Sequence, residues 1–142
     1  MRKKLIAMIT MAVLAVTSLT ACGGPKKADY EKDLEVLTQA ADVIDNTDFD
    51  SDESFTDKIK SYSCKTEEGK VLLADFVAMG EIYDEMKTEM SKDDYDVDAL
   101  NSIMDRLKAM QDSFEQHTNA FKDAATAIGV DASNFETGED AE

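Results

Sequence analysis

Residues 96–129 read DVDALNSIMDRLKAMQDSFEQHTNAFKDAATAIG, and their apolar spacing decides the fold class. Leu100, Leu107, Phe114, Phe121 and Ile128 recur every seven residues, and Ile103, Met110, His117 and Ala124 fill the intervening seam positions. A seam of that period is a helix that packs against other helices. Asp96 stands where an N-cap belongs, and its short side chain can accept from the first free N–H groups. Gly129 stands where the chain must leave the helix through a left-handed residue, with Val130 placed for the accompanying contact. A helix of about 32 residues is about 48 Å long.

Working outward, Ser91 to Asp96 is a short polar turn. Before it, Leu72, Phe76, Met79, Tyr83, Met86 and Met90 form a second stripe at four-three spacing. Thr66 is its expected N-cap, with Glu67 and Glu68 in the first turn. Phe55, Ile59 and Tyr62 mark a shorter helical stretch over residues 53–63, and a shift of register separates it from the second stripe as a break or bend. Residues 26–46 carry Tyr30, Leu34, Leu37, Ala41 and Ile44 on one face, with Asp29, Glu31, Asp33 and Glu35 where acids suit the helix dipole. No strand-like alternation competes. The expected fold is therefore all-α: a small antiparallel three-helix bundle over residues 28–129 with an additional short helix. Residues 130–142 are acidic with little apolar content and are expected as a disordered tail.

The chain opens differently. Arg2, Lys3 and Lys4 precede an almost wholly apolar or small run from Leu5 to Leu19, followed by Thr20, Ala21, Cys22, Gly23 and Gly24. A charged start and an apolar run of about 15 residues have the layout of a secretory signal and fall short of the roughly 20 residues of a bilayer span. Leu19-Thr20-Ala21-Cys22 resembles the lipobox of bacterial lipoproteins. The resemblance covers residues 1–22 alone and implies cleavage after Ala21 and a diacylglyceryl group on Cys22. It implies residues 1–21 as signal peptide and residues 22–27 as lipidated cysteine and tether. Two acyl chains give stable anchoring where one gives marginal binding. The Ala-Cys-Gly-Gly end is similar to lipoproteins of Gram-positive bacteria, which implies the outer face of the cell membrane; a Gram-negative outer membrane is the alternative. Gly23 to Lys27 spans at most about 17 Å, so the bundle is expected close to the bilayer.

The signal carries three of the 15 basic residues and none of the 31 acidic ones, so the processed chain has a net charge of −19. Such a charge repels nucleic acid and anionic headgroups, and any charge-steered partner is cationic. With Cys22 lipidated, Cys64 has no intramolecular partner, and a buried or half-buried thiol is expected. Asp48, Asp50 and Asp52 open like an EF-hand loop, but Glu53 and Ile59 occupy its sixth and twelfth positions; Asp94, Asp96 and Asp98 repeat the mismatch, with Ala99 at the sixth. These acids are expected as caps and dipole partners. His117 is the only histidine and is expected as a satisfied, partly buried side chain. Met79, Met86, Met90, Met104 and Met110 sit at seam spacing and are expected as core filler, with an adaptable peptide groove or a soft-metal site as the alternative.

Phosphate loops, nucleophile elbows and paired-cysteine motifs are absent from the sequence. One histidine and one cysteine assemble no nucleophile-base set, so no catalytic residue, metal ligand or cofactor is expected. The expected function is non-enzymatic: an acidic helical bundle, held by its lipid at the cell envelope, that binds or scaffolds an envelope protein or other cationic partner. A small-ligand or divalent-cation-binding lipoprotein is the alternative.

Overall fold

The computed structural model describes residues 24–46 and 48–135; the expected cleavage and attachment positions, Ala21 and Cys22, lie outside them. The described residues form four helices: α1 (Lys27–Asp45), α2 (Phe55–Lys60), α3 (Glu67–Met90) and α4 (Val97–Ala127). This is the all-α bundle with a short extra helix that the stripes imply. The break between the two middle stripes is real, and residues 61–66 form a non-helical strap between α2 and α3. None of the four helices is long and apolar enough to cross a membrane.

Local chemistry sets the boundaries. Thr66 accepts from the Gly69 N–H and caps α3. Asp96 accepts from the N–H groups of Asp98 and Ala99 and caps α4. At the other end of α4, Gly129 takes a positive φ of 81°; its N–H reaches the Thr126 carbonyl, and the Val130 N–H reaches that of Ala125. This paired closure satisfies the last free carbonyls, and a Cβ at Gly129 would strain it.

α3 is the central helix, packing on α1, α2 and α4. Its first turn lies beside the first turn of α1: Tyr30 Oη donates to Glu68 Oε2 at 2.8 Å. α2 sits beside the far half of α3, with Phe55 against Tyr83 and Lys60 paired with Glu81. α4 returns antiparallel along α3, its register set by Arg106 against Glu85 and His117 against Asp75. The chain thus runs up, down, up and down, with α2 and its strap as the second element.

The core gathers Tyr30, Leu37, Ala40, Ile59, Leu72, Phe76 and Phe121. It also takes in Val130, Ala132 and Phe135, all buried. Residues 130–135 are therefore not the disordered tail expected from their composition. Phe135 meets the Phe121 ring edge-on with centroids 6.4 Å apart, and Lys122 Nζ donates to the Phe135 carbonyl at 3.1 Å. Aromatic burial outweighs the polarity of the residues around it.

Asp33 corrects a second expectation. Grouped in the sequence with the acids that suit the α1 dipole, it is instead fully buried and bonded to another segment. Its carboxylate accepts from the Lys65 and Thr66 N–H groups at 2.8 and 2.7 Å and from Thr66 Oγ1 at 2.7 Å. It ties the strap to α1 at the start of α3. A Cβ at Gly69 would stand 2.6 Å from Asp33 Oδ2, so the tie requires a bare backbone there.

Candidate functional site

The seven-residue seam of α4 is not uniformly covered. Near its C-terminal end Thr118, Phe121, Ala124 and Ala125 are buried, whereas Leu100, Leu107 and Met110 are half-buried and Ile103 alone is buried in the first half. Helix lengths explain the difference. α1 has 19 residues and α3 has 24, and with Asp33 of α1 level with Thr66, α1 ends near the level of residue 78. About 18 Å of α3 continues past it. α2 and the aromatic ring cluster of Phe49, Phe55 and Tyr83 cover one side of this extension. The flank above the end of α1 has no helix on it among the described residues.

Methionines occupy that flank. Met86 and Met90 on α3, and Val97, Leu100 and Met104 on α4, share a side by helical spacing, and the antiparallel register sets Met86 and Met90 level with Met104 and Leu100. Met90 is 53% exposed, Val97 59% and Met104 45%; Met79, Met86 and Met110 are half-buried. Met79 packs against the core as its spacing suggests, but Met86, Met90, Met104 and Met110 do not join the core cluster and are not the core filler expected. Tyr95, in the turn, is also 53% exposed. A contiguous apolar face of this kind is a hallmark of an interaction surface.

The fold also concentrates charge. Residues 42–57 hold seven acids and no base, and residues 81–98 hold eight acids and two lysines. The bonds from Ser54 and Phe55 to Asp84, and from Lys87 Nζ to the Glu53 carbonyl, bring these two stretches to one end of the bundle. That end is remote from Lys27, where α1 begins.

On the opposite flank of the hairpin lies a cleft of about 690 Å³ lined by Glu81, Asp84, Glu85, Glu89, Ile103 and Arg106. Its carboxylates are committed to structure. Asp84 accepts from Ser54 Oγ at 2.7 Å and from the Phe55 and Thr56 N–H groups at 2.9 and 3.0 Å, which caps α2. Glu85 chelates Arg106, Glu81 pairs with Lys60, and Glu89 pairs with Lys92 and accepts from the Asp96 N–H at 2.9 Å. Burial works to raise the Asp84 pKa, and the bonds from Thr56, Ser54 and Phe55 outweigh it, leaving the group below its ordinary value. A carboxylate so lowered stabilises the fold above its ordinary pKa, and the contribution is lost as pH falls through the lowered one. Asp84→Ala therefore melts earlier than wild type at neutral pH, and the gap narrows as pH falls below about 5 and on through the lowered value. Thermal melts by circular dichroism check this, and a gap independent of pH refutes it.

The other singled-out residues serve structure. Asp48 accepts from the Asp50 N–H in a local turn, and Asp96 is the α4 cap. Among the described residues no three His, Cys, Asp or Glu side chains gather so as to hold a metal ion. His117 Nδ1 lies 2.5 Å from Asp75 Oδ2, a half-buried pair between α3 and α4. Cys64 is buried; desolvation, and then the charge of Asp33, push its thiol up to about 12. A thiol so protonated is a poor nucleophile. Native protein at about pH 8 is expected to take up iodoacetamide at Cys64 far more slowly than protein in urea, as read by peptide mass; equal rates would refute the burial.

No protein-family model, no curated protein and no solved structure matches the chain. The reading of function rests on the residues themselves.

Proposed function

We propose that the chain is a membrane-anchored bacterial lipoprotein, held through Cys22 at the outer face of the cell membrane, whose acidic helical bundle binds or scaffolds a partner at the envelope without catalysing a reaction. The single observation that supports partner binding is the uncovered methionine face of the α3–α4 hairpin. The lipobox-like Leu19–Cys22 stretch supports the anchor. The two features suit each other: the tether leaves from the start of α1, and the apolar face lies at the opposite end, turned away from the bilayer.

Two measurements test the two halves. Cys22→Ala is expected to move the protein from the membrane pellet to the soluble fraction and to abolish acyl labelling; retention in the pellet would overturn the anchor. A photocrosslinking residue at position 104 is expected to give discrete adducts in native membranes, while one at Gln116, exposed nearer the base of α4, gives none. Identical patterns at the two positions would overturn partner binding through this end.

A further inference from the structure

We propose that the methionine face of the α3–α4 hairpin docks a basic amphipathic helix of a partner protein, an assignment that rests on the partner-binding reading above and names the chemistry of that partner. The face offers what such a helix needs. Val97, Leu100, Met104 and Leu107 run along α4 for about 15 Å, which is close to three turns of an incoming helix. Met86 and Met90 form the facing wall at the same level. Methionine is unbranched, flexible and polarisable, so such a wall adapts to the side chains laid against it. Apolar residues at three-four spacing on the guest would enter the seam that α1 leaves open.

Charge selects the guest and rejects the other occupants. The hairpin turn carries Asp93, Asp94, Asp96 and Asp98, and the adjacent end of α1 and the loop after it carry Asp42, Asp45, Asp48, Asp50 and Asp52. Three of the nearby cations are engaged: Lys87 lies over the Phe55 ring, Lys92 pairs with Glu89, and Arg106 pairs with Glu85; Lys108, one turn beyond Met104, is exposed and is outnumbered by the acids of this end. A second copy of this chain would bring the same acids to the same place. An anionic bilayer would meet repulsion and lies at the tether end. The acidic residues after Phe135 carry the wrong sign, and Phe135 itself packs on Phe121, which packs on Tyr30, at the opposite end. A guest with lysine or arginine flanking its apolar stripe fits both the floor and the rim.

The membrane-processed protein in phosphatidylcholine nanodiscs tests this with two synthetic helices of equal length, one of leucine and lysine, one of leucine and glutamate. Fluorescence anisotropy is expected to show saturable binding of the leucine-lysine helix and none of the leucine-glutamate helix. The decisive variant is M90E/M104E. It adds two negative charges, so attraction by charge alone would tighten binding, whereas docking on the apolar face predicts weakening by about tenfold or more. Met90 and Met104 are exposed, so the variant is expected to keep the wild-type melting temperature. A charge-matched control, Q116E/N119E, lies on exposed positions near the base of α4 and is expected to bind as wild type. Unchanged or tighter binding by M90E/M104E overturns the docking site. Failure of the leucine-lysine helix to bind overturns the basic guest, while adducts at position 104 would still stand for a partner of other chemistry.

Discussion

Replacing Asp33 by alanine is expected to lower the stability of the fold by about 3 kcal/mol or more, the cost of leaving buried donors without their acceptor. The side chain is fully buried, and three donors converge on it: the N–H groups of Lys65 and Thr66 and the Thr66 hydroxyl. Removal strands these groups at the point where the strap turns into α3. It also frees Thr66, whose hydroxyl caps that helix. Asp33→Asn keeps the volume but points an amide donor toward donors, so it is expected to lie between wild type and alanine. Gly69→Ala attacks the same tie from the other side, because its methyl group would press on Asp33 Oδ2 and on Thr66 Oγ1 at 2.8 Å. Urea melts measure all three. A wild-type midpoint for Asp33→Ala would show that the strap holds its place without the carboxylate.

The second large effect concerns the end of the described chain. Phe135→Ala is expected to cost about 3 kcal/mol, the usual range for an aromatic ring lost from a packed core. Phe135 is 6% exposed and packs on Phe121, which in turn packs on Tyr30 at 5.7 Å between centroids. Truncation after Gly129 removes Val130 and Ala132 as well and is expected to destabilise more. Thermal melts distinguish this from the behaviour of a loose tail, whose removal would leave the midpoint unchanged.

Both sites show where sequence reasoning stops. The helices and their ends were legible because the causes are local: the period of the apolar residues, Thr66 and Asp96 at the starts of α3 and α4, and Gly129 at the end of α4. Asp33 was misread because its partners lie 32 and 33 residues away in the chain. A local hint existed, since Asp33 falls between Tyr30 and Leu37 at three-four spacing, on the buried stripe itself. Phe135 gave a comparable hint as a lone aromatic among polar residues. The methionine face is a different case. Covered and uncovered seams share one spacing, and what separates them here is that α1 stops while α3 and α4 continue. Only the alignment of the helix starts, fixed by Tyr30, Asp33, Thr66 and Glu68, turns a difference in length into an open flank. The same alignment gathers two acid-rich stretches that are distant in sequence.

The tie at Asp33 has a mechanical consequence for a chain anchored through Cys22 and gripped at its far end. Tension applied by a partner at the hairpin would travel down α3 and reach the anchor through α1, and the base of the junction between those helices is closed by the Asp33 carboxylate together with the Tyr30–Glu68 bond and the Lys65–Asp29 pair. Several short bonds loaded together resist shear better than the same bonds broken in turn. In a chain so anchored and gripped, Asp33 would stand where pulling force passes from the hairpin to the tether.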